Sequence, residues 1–395
     1  MHIQSYTKEL EPAVKSFNER LRAGGQAYWS LPESHVPKLP KLQNRNPYEE
    51  LFVIVDGTEI RGGYLLTHRR FALQGETMSV ACGPQISVSE SIVNRRYGML
   101  GAVQARDALE RQPVMYALGI GGISKPLARL LAAMRWTLFA VPFYFRVVSP
   151  SKLLANITHL RHSRSRGMTL DFLRYSGLGS IGIRTAQFRL PRSVRVEAHV
   201  VAEFGAWADP IWEECNCDYY FVAARDGGTL NLLYPPSDAR FLRLRISRAG
   251  EDLGWVVMLD MQMSEHRYFG NMRIGVIVDC LAAPRNAYQV VSSATRLLES
   301  RGADLIVTNQ LNSAWCKAFF SAGFLKGPSN FILALSPMLA DKLRPLEATK
   351  NSIHMTRGDG EDIAAWADNQ AQQKTATFTP TTRDQRLFAT PVSGG

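Results

Sequence analysis

Long apolar runs are missing from this chain: no window approaches the roughly 18 to 20 uninterrupted apolar residues of a spanning helix, and Met1-His2-Ile3-Gln4 does not open a secretory signal. A cytoplasmic location is the expectation. Cysteine is scarce as well. Cys82, Cys215, Cys217, Cys280 and Cys316 are too few and too scattered for a disulfide framework, which suits a reducing compartment. Cys215-x-Cys217 lacks a second ligand pair at finger spacing, and the acidic stretch 354–362 does not follow the calcium-loop pattern, so no metal is assigned. Charged residues make up 21% against 46% apolar, a balance that folds rather than staying disordered. Acids are the rarer charge, 35 against 46 Lys and Arg, for a net charge of +11 over 395 residues.

The excess is local. From Arg146 to Arg195 ten basic residues face a single acid, Asp171. Such a stretch is either a solvated connector or an attractor of phosphates, nucleic acid or anionic headgroups, and the regular aromatic interleaving of a single-strand stacking platform is absent from it.

Periodicity places a helix around Val14, Phe17 and Leu21 after Pro12, stopped by Gly24-Gly25. The apolar run 51–55, Asp56-Gly57, and the run 60–66 read as a hairpin. Strands follow at 78–82, with a continuation over 85–88, then a helix over 98–109, a strand over 114–118, a helix over 126–134 and terminal strands over 137–148. A similar order returns: a helix over 201–212, a strand over 219–224, paired strands at 241–246 and 255–259 across Ala249-Gly250, a strand over 274–279, a helix over 288–298, a strand over 304–307, a helix over 313–322 and a last strand over 331–335. The order predicts an α/β (α+β) architecture used twice, each unit a mixed, mostly antiparallel sheet flanked by helices. The expected divisions are 1–148, a basic connector 149–195, a second domain 196–345 and an extension 346–395, whose Gln, Thr, Pro, Ser and Gly content from about 370 predicts a mobile tail.

The stretch from Val88 to Gly101 carries the most chemistry: a strand leads through Arg95-Arg96-Tyr97-Gly98-Met99 into a helix. Small residues, free N–H groups and the helix dipole together can cradle a phosphate, although Gly98 and Gly101 also fit the role of turn and packing glycines. In its context the segment resembles the acyl-CoA loop of the Gcn5-related N-acetyltransferase (GNAT) superfamily. Arg95-x-x-Gly98 matches the first two positions of that loop, Leu100 stands at the third, and Gly101 comes one residue late. The segment 122–136 resembles the family's last helix, and the segment from Asn312 to Gly323-Phe324 resembles its ending more closely. The stretch from Arg225-Asp226 through Asn231 to Tyr234 is similar to a signature of tandem members found among bacterial surface-polysaccharide genes, with Leu232 and Leu233 in place of Trp and Arg.

The resemblance implies two GNAT-like domains in tandem, with an acetyl or other acyl group passing directly from acyl-CoA to an amine of a small molecule or sugar. It assigns the donor to Ser87, Val88, Ser89, Arg95, Arg96, Tyr97, Gly98, Met99 and Gly101, the strand amides holding the thioester oxygen. The second unit, with no loop glycine and with Pro284, has lost CoA. For bases, Glu90 and Glu76 lie near the implied acyl end, and Asp279 ends an apolar strand. Leu131 and Phe319 occupy the position of the family's tyrosine acid, so the acid is absent, displaced to Tyr116 or Tyr144, or unnecessary. Cys82 reads as a nucleophile or as a small core residue, and the segment 266–269 as an acceptor-facing or ordinary loop. Two other functions compete: a transferase using aminoacyl-tRNA, served by the basic stretch 146–195, and a non-catalytic binding protein on the same scaffold.

Overall fold

The computed structural model describes residues 1–26, 29–43, 46–83, 87–156, 173, 176–189, 195–266 and 269–360. The expected mobile tail, the strand continuation at 85 and 86, Arg161, Arg164, Arg166, Arg174 and Arg192 of the basic stretch, and Arg267 and Tyr268 lie outside them.

The strands are β1 (His2–Ser5), β2 (Tyr48–Asp56), β3 (Glu59–Leu73), β4 (Glu76–Cys82), β5 (Ser87–Ser89), β6 (Met115–Leu118), β7 (Thr137–Ala140), β8 (Phe143–Val147), β9 (Glu197–Val201), β10 (Phe221–Ala223), β11 (Phe241–Arg248), β12 (Glu251–Gln262), β13 (Arg273–Ala282), β14 (Leu305–Asn309), β15 (Leu325–Gly327), β16 (Ile332–Leu335) and β17 (Ile353–His354). The helices used below are α1 (Glu11–Ala23), α2 (Leu100–Arg111), α3 (Pro126–Ala133), α4 (Pro150–Asn156), α5 (Leu178–Gln187), α6 (Ala208–Cys215), α7 (Gly227–Leu233), α8 (Ala287–Ser300) and α9 (Ser313–Ser321). They form two sheets flanked by helices, the architecture expected. The first runs β1-β2-β3-β4-β6-β16-β7, with β5 and β10 also on β3 and β17 on β10; the second runs β15-β8-β14-β13-β12-β11-β9. Most pairings are antiparallel; β4 with β6, β13 with β14 and β10 with β17 are parallel. Among the described residues no helix is long and apolar enough to cross a membrane.

Two expectations change. The segment 201–212 was expected to be one helix, but Glu197–Val201 forms an edge strand on β11 and the helix starts only at Ala208. The residues between them include Gly205, and Phe204 is held by Asn231 instead of by a helical turn. The terminal strands of the first half also part company. β7 pairs with β16 in the first sheet, whereas β8 inserts between β14 and β15 in the second. In return β16, from the second half of the chain, sits between β6 and β7. Strand pairing satisfies backbone groups without regard to sequence distance, so the apolar pattern located these strands but not their sheet.

The largest core cluster covers the second sheet, around Trp255, Ile277, Val290 and Trp315. The first sheet is covered on one face by α1 through Phe17 and Leu21 and on the other by α2 and α3 through Ala108 and Leu131.

Candidate functional site

The first sheet forks where β4 gives way to β5. β4 pairs with β6 only through Ala81–Met115 and Cys82–Tyr116, and the last backbone bond across that seam runs from Gly83 N–H to Tyr116 O at 2.9 Å. Beyond it β5 follows β3 alone, with Ser87 opposite Tyr64 and Ser89 opposite Gly62. On its other edge β6 pairs with β16 from Tyr116 to Leu118. Among the described residues no backbone hydrogen bond crosses this opening, so its lips can be satisfied by an extended ligand.

From the fork the chain passes through short turns at Glu90–Ile92 and Arg95–Tyr97 into α2. Asn94 Oδ1 accepts from the Arg96 amide at 3.1 Å and closes the second turn. α2 then starts without a side-chain cap. Ala102 and Val103 donate to Met99 O, but the amides of Leu100 and Gly101 have no acceptor among the described residues. Orphan N–H groups and the positive end of the helix dipole there favour an anion. Arg95 and Arg96 stand exposed beside it, with no ion-pair partner among the described residues. Gly98 has φ −54°, a conformation open to any residue, and a side chain at Gly101 would meet nothing within 4 Å. Neither glycine is demanded by the backbone, and the start of the helix has free space in front of it.

The turn and the helix start are braced from behind. Gln104, one turn into α2, donates to Val88 O at 2.9 Å and Gly63 O at 3.0 Å and accepts from Ser87 Oγ at 2.9 Å. Gly62 is required for this approach, because a Cβ there would fall 2.7 Å from Val88 O. Tyr97 packs on the Arg61 guanidinium, 4.8 Å from ring centre to Cζ. Arg61 donates to Glu90 Oε2 at 2.9 Å, and Arg20 approaches the same oxygen at 3.5 Å. Sequence reasoning missed Gln104 and Arg61; a buried glutamine on a face otherwise made of Leu100, Ala105 and Ala108 was the available sign.

Of the residues expected to act, Ser87, Val88 and Ser89 form one lip of the fork, and Arg95 through Gly101 form the turn and the helix start. Of the expected acids and bases, Glu90 lies beside them, buried in ion pairs with Arg61 and Arg20. Glu76 lies opposite Leu73, eleven positions along β3 from the Gly62 that faces Ser89, or roughly 36 Å at ~3.3 Å per residue. One substrate atom cannot reach both carboxylates. Tyr144 went into the second sheet with β8, where its ring stacks on Phe319 at 5.8 Å and burial pushes its hydroxyl up. Tyr116 sits at the seam itself, but its hydroxyl donates to Asp359 O at 2.7 Å and burial holds it well above the usual range.

Asp279 is fully buried. Its oxygens accept from Arg225, from Tyr234 Oη at 2.9 Å, from Thr356 Oγ1 at 3.0 Å and from the Cys280 amide. Arg225 also donates to Asp359 at 2.8 Å, and Arg69 from β3 reaches Asp359 at 3.2 Å. Burial works against charge on Arg225, but Asp279 and Asp359 beside it hold it charged. Burial likewise opposes the Asp359 carboxylate, and Arg225 and Arg69 keep it below the usual range. Two arginines and two aspartates thus join the two sheets. The stretch from Arg225 to Tyr234 serves this junction: Asp226 caps α7 through the Thr229 amide, and Asn231 holds Phe204.

The second sheet forks too. β13 pairs with β14 only from Ile274 to Val276. Here the chain's own segment fills the parting: Thr356 bonds Asp279 on β13, Arg357 Nη1 donates to Asn309 Oδ1 on β14 at 2.9 Å, and Gly358 lies against Asp279.

No described protein family and no curated protein matches this sequence. Among solved structures, a GCN5-related N-acetyltransferase from Anabaena variabilis is similar at 10% identity over 84% of this chain and 72% of that one, with a TM-score of 0.52. A conserved protein of Enterococcus faecalis V583 described as a probable N-acyltransferase (10% identity, 84% and 71%, TM-score 0.48) and Saccharomyces cerevisiae N-myristoyltransferase with bound myristoyl-CoA (8%, 85% and 78%, TM-score 0.46) are also similar. The likeness to the first shows the fold: the chain has the GCN5-related N-acetyltransferase fold.

Proposed function

We propose that the protein is an acyl-CoA-dependent N-acyltransferase built as two GNAT units in tandem, with the donor in the first sheet. The observation that carries this is the open fork between β5 and β6, which ends at the uncapped start of α2. Support also comes from the N-acetyltransferase that shares the fold, and from the contrast with the second fork, filled by Thr356 and Arg357. Arg95, Arg96 and the amides of Leu100 and Gly101 hold the CoA pyrophosphate. An amide of the Ser87-Val88-Ser89 lip that faces the fork stabilises the oxygen of the thioester as it gains charge. The acceptor is an amine on a small molecule or sugar. Its nitrogen attacks the carbonyl, the C–N bond forms and the C–S bond breaks, the amine proton passes to water and CoA departs as thiolate. Glu90 positions the turn through Arg61 and takes no proton in this scheme.

The test is native mass spectrometry for a co-purified acyl-CoA, followed by calorimetric CoA titration of the Arg96→Glu/Gly98→Asp variant. The reading expects a bound CoA species and at least about a tenfold loss of affinity in the variant. Tight CoA binding that survives both substitutions overturns it.

A further inference from the structure

A cavity of about 550 Å³, lined by none of the fork residues, opens on the second sheet between α5, α8 and the end of α9. That size holds a small ligand. Its wall carries four arginines, Arg146, Arg184, Arg189 and Arg296, and one carboxylate, Glu299. Arg146 is internally engaged: it donates to Glu299 at 2.7 Å and to Ala322 O at 2.8 Å. It reaches that carbonyl past Gly323, whose φ is +81° and where any Cβ would collide with the guanidinium. Glu299 is therefore spent on Arg146 and neutralises nothing else.

Among the described residues the other three guanidiniums have no carboxylate partner. Arg184 on α5 and Arg296 on α8 are exposed and have no partner among the described residues. Arg189 lies 3.9 Å over the Phe320 ring and gives Nη1 to Ala186 O and Phe188 O, while its Nε–H is shut off from solvent without an acceptor. Like charges repel around a concavity, and an anion in the cavity offsets that repulsion. Tyr288, on the same face of α8 as Arg296, supplies a ring beside the charges.

We propose that this cavity is a binding site for a small phosphate-bearing molecule, separate from the CoA cradle, held by Arg184, Arg189 and Arg296. Guanidiniums from α5 with the residues just after it and from α8 line one concave opening, a geometry that favours a compact anion over the extended backbone of a nucleic acid.

The experiment titrates the full-length protein with inorganic tripolyphosphate and with ATP by calorimetry at about 0.15 M salt. It compares wild type with Arg184→Glu/Arg296→Glu, with Arg184→Gln/Arg296→Gln, and with Arg95→Glu/Arg96→Glu in the cradle. The expected result is binding weakened about a hundredfold by the Glu pair, about tenfold per guanidinium, weakened in the same sense by the Gln pair, and retained in the cradle variant. Loss that follows the cradle variant instead, or no loss in either cavity variant, overturns the site. Oligonucleotides that bind more tightly with each added nucleotide and outcompete ATP overturn the small-ligand assignment.

Discussion

Gln104 Nε2 lies 2.9 Å from Val88 O and ties the first turn of α2 to the strand that borders the fork. The same side chain engages Gly63 O and Ser87 Oγ, so one buried amide sets the spacing of helix, loop and strand. The start of α2 and the β5 edge of the fork are thereby tied together.

Gln104→Leu keeps the apolar bulk but strips these partners. It is expected to cost about 1–3 kcal/mol of stability in urea unfolding, the penalty for buried acceptors left unsatisfied. CoA affinity is expected to fall by about tenfold, more than a uniform loss of stability explains. Undiminished CoA affinity would show that the lip is held by something else.

Tyr97→Ala removes the ring stacked on Arg61. Such a contact is worth about 0.5–2 kcal/mol. The expected outcome is a several-fold weaker CoA complex with little change in melting temperature, while Tyr97→Phe, which keeps the ring, retains affinity.

Arg225→Met leaves Asp279 and Asp359 buried, with Arg69 as the remaining arginine of the group. Breaking a buried ion pair in this way costs about 3–5 kcal/mol. Urea unfolding should show that loss, and adding Asp279→Asn to the same variant should return part of it by removing the stranded charge.

His354 is fully buried between Tyr219 and Trp315, and burial first, then the nearby Arg225 charge, pushes its imidazole down to about 3 from an ordinary 6.5. The folded protein therefore keeps it neutral in a range where the unfolded chain binds a proton. Stability should fall as pH drops below about 6.5, by ~1.4 kcal/mol per pH unit, until about pH 3. Asp359 has the opposite origin: its depressed carboxyl contributes stability that is lost only below about 3.8, so measurements above pH 4.5 keep the two apart. Between pH 6.5 and 5 the wild type should lose about 2 kcal/mol more than His354→Phe in urea unfolding. Parallel pH profiles for the two proteins would refute this.

Much of the scaffold was legible because it rests on local rules. Asp56-Gly57 marked the first hairpin, Pro12 and Gly24 bounded α1, and the apolar runs at 274–279 and 331–335 could only be buried strands. The turn from Arg95 into α2 was legible for the same reason, since charge, glycine and helix start are adjacent in the chain. The places of the carboxylates were not. Glu90 and Glu76 look equally exposed in a sequence, and only the pairing of β3 puts one in a brace and the other at the distant end of the sheet.

The sequence by itself determined most of the elements and the turn that leads from Arg95 into α2, because hydrogen bonding, side-chain periodicity and backbone conformation act over a few residues. Tertiary structure alone decided that β8 and β16 exchange sheets, that Arg69, Arg225, Asp279 and Asp359 meet, and that one fork stays open while Thr356 and Arg357 fill the other. Each of these joins residues far apart in the chain, where burial and charge pairing depend on the whole packed arrangement and no local pattern records the partner.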